Sequence, residues 1–546
     1  MRPFDASVIG ETVGDIIKNK GDRMAWSLHG YKMGTNENWF DELPADGESL
    51  DKFISAARKN IEPWLSAVFQ SEHTNLLIGS GFATAVCYQA NAGALGMGKV
   101  EFNTEYDAQI NIYAQKSAAA MGRGDSNIED QFRSALMLLD GLKVLGDVTK
   151  HDALETALGT VLHGFLRSVL ATENGIDNAS DNDWKKGVSA LQSFLLSFAS
   201  RSASRERLHV FTTNYDRLVE YGCDLAGIRI IDRFVGALNP VFRSTRVEVD
   251  MHYNPPGIRG EPRFMEGVIR FTKLHGSLDW HIDARTKQMH RVGIPFGAGA
   301  THPGVPEKPI DTVMIYPNPA KDVETTEYPY AELFRDFASA LCRPNSVVVL
   351  YGYGFGDDHV NRVLLDMLTI PSTHMVIIAF GMSVKDFARA ESFYNNAARP
   401  AQISLLVGPH FADLGNLVAN YLPKPAIDVI TGRMMELLKS RRPPITDAID
   451  ATSLPLPPFV PGAPPPPPPP AVAGVPPPPP PPAVAGVPPP PPPSAVVGVP
   501  PPPPPSAVAG VPPPPPPSAV AGVPPPPPSS AVTELGIPTV TDDDPF

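Results

Sequence analysis

The sequence predicts an α/β fold, a Rossmann-like parallel sheet with helices on both faces, with a helical insertion and a disordered proline-rich C-terminal tail. Three observations carry this. From Leu208 onward, short apolar runs alternate with stretches of helical periodicity, the pattern of strands joined by crossover helices. Residues 105–205 keep helical periodicity with no strand between them. Of the 65 prolines, 20 precede residue 441 and 45 follow residue 440, so the chain changes class there.

Taken in order, residues 1–48 are polar, glycine-punctuated and weakly periodic, and read as an N-terminal extension to a domain spanning 49–440. A helix is expected over Leu50–Phe69, with Phe53, Ile54, Ala57, Ile61, Trp64 and Leu65 at helical spacing. A strand, Asn75–Ile78, then ends in Gly79-Ser80-Gly81. In the insertion, Leu154, Leu158, Leu162, Leu166 and Leu170 recur every fourth residue, and Leu191, Phe194, Leu195 and Phe198 repeat the pattern. Plain core packing accounts for all of them. Beyond it the expected strands are Leu208–Thr212, Arg229–Ile231, Val268–Leu274, Thr312–Ile315, Ser346–Leu350 and Met375–Ala379. The expected helices are Tyr215–Leu225, Tyr330–Leu341, Asp358–Leu368 and Val384–Ala397. The tail, 441–546, holds twelve-residue repeats of Ala-Val-Ala-Gly-Val (Ala-Val-Val-Gly-Val in one) followed by prolines, starting at Ala471, Ala483, Ala495, Ala507 and Ala519. Proline lacks an N–H and fixes φ, so these blocks favour polyproline II over helix or sheet.

Composition narrows the function. The net charge is −13, of which the tail, with two Arg against six Asp or Glu, carries −4 and the rest of the chain −9. An acidic body argues against nonspecific nucleic-acid binding, which needs a basic footprint. The three cysteines, Cys87, Cys223 and Cys342, are far apart, so neither a cysteine-ligated zinc nor a disulfide framework is expected. A reducing cytoplasmic setting fits. The first twenty residues have no apolar signal core, and no run of eighteen apolar residues predicts a membrane span.

Four segments share one design, an apolar strand ending in small, polar or reactive residues: Leu76–Gly81, Val210–Asp216, Phe271–Trp280 and Val347–Asp358. In a parallel sheet such ends converge on one side, where ligands bind. Gly79-Ser80-Gly81 lets the backbone approach a pyrophosphate ahead of a helix N-terminus, though Thr84 stands where the full dinucleotide fingerprint has its third glycine. A tight strand–helix turn explains it equally. Thr213-Asn214-Tyr215-Asp216 offers an amide that orients a ribose hydroxyl or a water, or else a helix cap. His275, between a strand end and Gly276, has the chemistry of a base. Gly352-Tyr-Gly354-Phe-Gly356-Asp357-Asp358 has a glycine where a nucleophile elbow needs its serine, which argues against an α/β-hydrolase. Gly93–Lys99 fits most of a P-loop, but Val100 replaces the magnesium-binding Ser or Thr. The remaining histidines, His281, His290 and His302 among them, show no zinc spacing on a helix, and no metal is expected.

Together these segments, with Lys273–Trp280 and Ile315–Lys321, resemble in their order the sirtuin-like superfamily over roughly residues 70–420. They are most similar to its bacterial branch of NAD-consuming effectors of defence against phage. The resemblance implies NAD as substrate, with Asn214 and His275 as the catalytic pair. It places Gly79, Ser80, Gly81, Thr213, Asp216, Gly352, Gly354 and Asp358 against the dinucleotide: the first three at the diphosphate, Asp216 near the nicotinamide, and Gly352 and Gly354 near the adenosine ribose. Two departures matter. The cysteine-ligated zinc module of deacylating members is missing, and Ala83 stands where the family turn continues to a serine.

The expected reaction is hydrolysis of the nicotinamide–ribose bond, with positive charge developing on the sugar as in glycoside cleavage. Rival readings are a protein deacylase or ADP-ribosyl transferase, and an interaction scaffold that senses NAD or ADP-ribose. The tail fits the scaffold through polyproline-binding partners, or serves as a spacer. Because uncontrolled NAD loss is toxic, control by homo-oligomerisation, a phage-derived trigger or a partner ATPase is expected.

Overall fold

The structure is a computed structural model that describes residues 26–424, apart from 95–97, 121–124, 203, 246–248, 254–262, 284, 287, 306–311 and 315–328. The chain divides into two units, 1–447 and 448–546, and every described residue belongs to the first. The proline-rich repeats, the acidic terminus and segment 315–321 lie outside the described residues.

The strands, in chain order, are β1 (His29–Met33), β2 (Asn36–Phe40), β3 (His73–Ile78), β4 (His209–Thr212), β5 (Arg229–Ile231), β6 (Phe234–Val235), β7 (Val241–Phe242), β8 (His252–Tyr253) and β9 (Arg263–Phe264). They continue with β10 (Val268–Lys273), β11 (Gly276–Ile282), β12 (Met289–Arg291), β13 (Thr312–Met314), β14 (Ser346–Tyr351), β15 (His374–Ala379) and β16 (Ile403–Val407). The longer helices are α1 (Gly47–Phe69), α2 (Ser80–Gln89), α3 (Asp107–Ala120), α4 (Ile128–Leu145), α5 (Val148–Asp177), α6 (Asp181–Ala199), α7 (Leu218–Ala226), α8 (Tyr330–Leu341), α9 (Asp358–Met367) and α10 (Ala388–Asn396).

Nine strands form the main sheet in the order β2-β1-β16-β15-β14-β3-β4-β10-β5. From β16 to β5 every pairing is parallel. Its strands read as continuous apolar runs because both faces are covered. Leu76, Ile78, Val349, Tyr351, Val376 and Ile378 point into one core with α1, α2, α6 and α7. The intervening Leu77, Val348, Leu350, Met375 and Ile377 point into the other with α8, α9 and α10. The chain proceeds from β3 toward β4 in one direction and from β14 toward β15 and β16 in the other. The sheet therefore reverses between β3 and β14, where a crevice opens beyond the strand ends.

The helical insertion is present as α3–α6, and its leucine ladder forms a separate core with Phe132, Tyr215 and Leu278. Its last helix departs from the reading as a pure insertion: Leu191, Phe194, Leu195 and Phe198 of α6 pack into the sheet's own core. Ends are capped as the residue types allow. Asn127 and Asp130 make a reciprocal capping box at α4, and Asp46 accepts from the Ser49 N–H at 2.8 Å at α1.

Three expectations are corrected. The region read as an N-terminal extension supplies the β1–β2 hairpin, with β1 antiparallel to β16. The 312–314 strand joins not the parallel sheet but a second, antiparallel sheet, β13-β11-β12-β7-β6. The helix expected from Tyr215 starts at Leu218, because residues 213–217 form an irregular turn. β16 is a further parallel strand that the sequence pattern does not predict. Among the described residues no helix is long and apolar enough to cross a membrane.

Candidate active site

The reversal point is built from glycines. A Cβ on Gly79 would lie 2.5 Å from the Gly352 carbonyl oxygen and 2.7 Å from the Tyr353 Cα. On Gly352, whose φ is +64°, it would lie 2.6 Å from the Phe82 nitrogen. Neither backbone has room to yield, so the ends of β3 and β14 pass each other only as glycine. Two hydrogen bonds tie them, Gly79 N–H to the Tyr351 carbonyl at 3.1 Å and Gly81 N–H to the Gly352 carbonyl at 3.0 Å. Phe355 in the same turn holds a φ of +54°, the kind of strain that gathers at functional turns.

The turn after β4 is bound to the same place. Thr212 Oγ1 donates to the Ile78 carbonyl and accepts from the Asn214 N–H, both at 3.0 Å. The Asn214 amide then donates to the Gly79 carbonyl at 3.1 Å and to the Asp216 carboxylate. With its NH₂ so engaged, Asn214 keeps its carbonyl oxygen as an acceptor. Burial pushes the Asp216 carboxyl above its ordinary range, and the Lys273 ammonium opposes the shift.

Beneath this turn Lys273, 2% exposed, acts as a post. Its ammonium donates to the Asp216 carbonyl, to Ser277 Oγ at 2.8 Å and to Glu220 Oε1 at 3.1 Å. Burial raises the Glu220 carboxyl to about 7, against the pull of Lys273. On the insertion side, Arg217 pairs with the buried Glu173 of α5 at 2.5 Å, and its backbone N–H donates to the same carboxylate at 2.9 Å. The turn carrying Asn214 is thus held from the sheet below and from the insertion beside it.

Above this support lies a cavity of about 320 Å³. Gly79, Ser80, Thr213, Asn214, Asp216, His275 and Gly354 all line it, together with Tyr353, Asp357, Arg389 and, from the insertion, Asn127, Glu129, Phe165 and Ser168. A second cavity of about 330 Å³ shares Ser80, Thr84, Tyr353, Gly354 and Arg389 with the first, and adds Gly81, Gly352, Phe355, Phe380 and Asp413. Each has the size usual for small-molecule sites, roughly 300–1,000 Å³.

The expected residues are therefore brought together with two qualifications. Gly81 and Gly352 face the second cavity only, and Asp358 lines neither, being exposed in the first turn of α9. Its neighbour Asp357 takes the place in the wall. Sequence reasoning missed Arg389, the one Lys or Arg among the described residues that lines both cavities, and Tyr353, whose hydroxyl donates to Asn361 Oδ1 at 3.0 Å. It also missed His359, whose Nε2 lies 3.3 Å from that of His275. Only the glycine spacing around Tyr353 hinted at any of the three.

Residues 208–398 match the family model of the SIR2-like domain. The match takes in Asn214, His275 and the 352–358 turn, and stops short of Gly79–Gly81, which the fold nevertheless sets against Gly352. No curated protein matches the chain.

Proposed function

We propose that the SIR2-like domain of this chain is an NAD glycohydrolase that cleaves the nicotinamide–ribose bond. SIR2-like domains bind NAD, and NAD-utilising chemistry is what the family match supports. One observation carries the finer reading. Asn214, His275 and the Gly79–Gly81 turn come from three different strand ends, yet they line two cavities that share wall residues at the point where the sheet reverses.

The residues fit a dinucleotide. The glycine turn opens α2, a helix whose N-terminus favours an anion, and Arg389 adds a cation between the two cavities. The diphosphate would lie there, with the nicotinamide ribose toward Asn214, Asp216 and His275 and the adenosine toward Gly352 and Phe355. The nicotinamide leaving group supplies most of the chemistry. Asn214, fixed by Gly79 and Asp216, presents its carbonyl oxygen to a ribose hydroxyl or a water. His275 takes the proton. The Asp216 carboxylate, when ionised, favours positive charge on the sugar.

Hydrolysis is preferred to deacylation or transfer because the first cavity is walled by Asn127, Glu129, Phe165 and Ser168 of the insertion, which favours a small acceptor. The absence of a cysteine-ligated zinc module points the same way. A role in defence against phage, with control by self-association or a trigger, is proposed on the family resemblance alone.

The test is NAD consumption by purified protein, alone and with lysate of phage-infected cells, read as nicotinamide and ADP-ribose by mass spectrometry. Asn214→Ala and His275→Ala should each lower turnover on the order of 100-fold or more. Full turnover in both variants would remove the assignment. NAD binding without turnover in any condition would favour the sensor reading.

A further inference from the structure

We propose that His275, His359 and Asp357 form a capture site for a transition cation of the zinc class, and that its occupation withdraws His275 from catalysis. His275 sits on the turn after β10 and His359 in the first turn of α9, and both are buried, at 3% and 8% exposure. Their Nε2 atoms face each other at 3.3 Å, with the rings 30° apart in plane. Phe334 packs edge-on against His359 at 4.8 Å and holds that ring in place.

The separation is the informative quantity. Two imidazole nitrogens bound tetrahedrally at about 2.0–2.1 Å from one zinc ion stand roughly 3.3 Å apart. The pair therefore already has the spacing of two ligands on one cation. A carboxylate oxygen of Asp357 and a ring nitrogen of each histidine lie within 4.8 Å of one another, which makes Asp357 the third member of the ligand set. His275 and Asp357 line the first cavity, which leaves the fourth position open toward it. Two nitrogens and one oxygen suit zinc and its neighbours, whereas magnesium and calcium prefer all-oxygen sets. The second such group among the described residues, His151, Asp152 and Glu155, stands mostly exposed on α5 and is the natural control.

Cation binding rests on this geometry alone. The inhibition that follows rests also on the reading of His275 as the base, because a nitrogen bound to zinc no longer accepts a proton.

The experiment uses the full-length protein, first stripped with a chelator. Zinc is titrated against a chromogenic competitor, and cobalt is added separately to read the absorption of a tetrahedral site. We expect one tight equivalent. His359→Gln and Asp357→Asn should each weaken it by more than the roughly 10–100-fold that loss of an outer partner costs, while His151→Ala leaves it unchanged. Zinc should suppress NAD turnover in the parent protein, reversibly with chelator, and should act at least tenfold less potently on the His359→Gln protein. Two variants guard against one that misfolds, with thermal unfolding as the check. Zinc binding that is absent, or unchanged in both variants, overturns the site. Tight zinc with undiminished turnover overturns the inhibition. Zinc bound as expected by a protein that never consumes NAD would count against the proposed activity and leave the cation site standing.

Discussion

Replacing Lys273 with methionine separates the post beneath the candidate site from the site itself. Methionine keeps the apolar stem and removes the ammonium from the Asp216 carbonyl, Ser277 and Glu220. Breaking a buried ion pair by removing one partner costs about 3–5 kcal/mol, chiefly because a charge is left buried without compensation. Glu220 has one escape, which is to bind a proton. Its carboxyl already sits at about 7 in the fold, against 4.5 as a free group. A raised folded value means that its contribution to stability is complete below about 4.5 and is lost as pH rises through about 7. Without Lys273 the folded value rises further, so the loss at alkaline pH deepens.

The cost of Lys273→Met should therefore approach about 3–5 kcal/mol at pH 8 and fall well below that at pH 5, where Glu220 is protonated. Urea unfolding followed by tryptophan fluorescence at pH 5, 6.5 and 8 measures it. The Lys273→Met/Glu220→Gln double variant should recover more than half of the loss at pH 8. A cost that does not vary with pH, or a double variant whose losses simply add, would refute the argument that the ammonium serves to compensate Glu220.

Other outcomes follow from the same geometry. Gly79→Ala drives a methyl into the Gly352 carbonyl and should cost about 1–3 kcal/mol by thermal unfolding, with loss of NAD binding. Gly354→Ala meets nothing within 4 Å, so it should leave the melting temperature unchanged and weaken NAD binding by calorimetry, since that glycine lines both cavities. Arg217→Met strands the Glu173 carboxylate inside the insertion and should cost about 3–5 kcal/mol, with turnover falling as Asn214 loses its lateral support.

What the sequence made legible had a one-dimensional signature. The leucine ladder of α5 and the apolar runs of β3, β4, β10, β14 and β15 carry their period or length in the chain itself. Asn214, His275 and Gly79 were legible because each stands at the end of such a run. The hairpin β1–β2 was not, since β2 is exposed or half-buried and β1, whose Gly30, Tyr31 and Met33 are buried, shows no apolar run. β11 was hidden because Ser277 and Asp279 are polar and yet buried, a placement their surroundings dictate. His359 and Arg389 lie in the helices that follow β14 and β15, and nothing local marks them. Asp357 and Asp358 differ by a single helical step, and which of them faces the cavity is decided by where α9 begins.

The hairpin has a consequence for anyone trimming the chain. A protein begun at residue 49, where composition places the domain start, would lose β1 and leave the β16 backbone without a neighbour on one side. β16 is an apolar strand, Ile-Ser-Leu-Leu-Val, fully buried in the intact fold. Such an uncovered rim is a template for strand addition by another molecule. The opposite rim is protected differently, because β5 is only three residues long. The shortened protein should therefore associate through this one side, and aggregation seen with it would reflect the missing hairpin and say nothing of any native self-assembly.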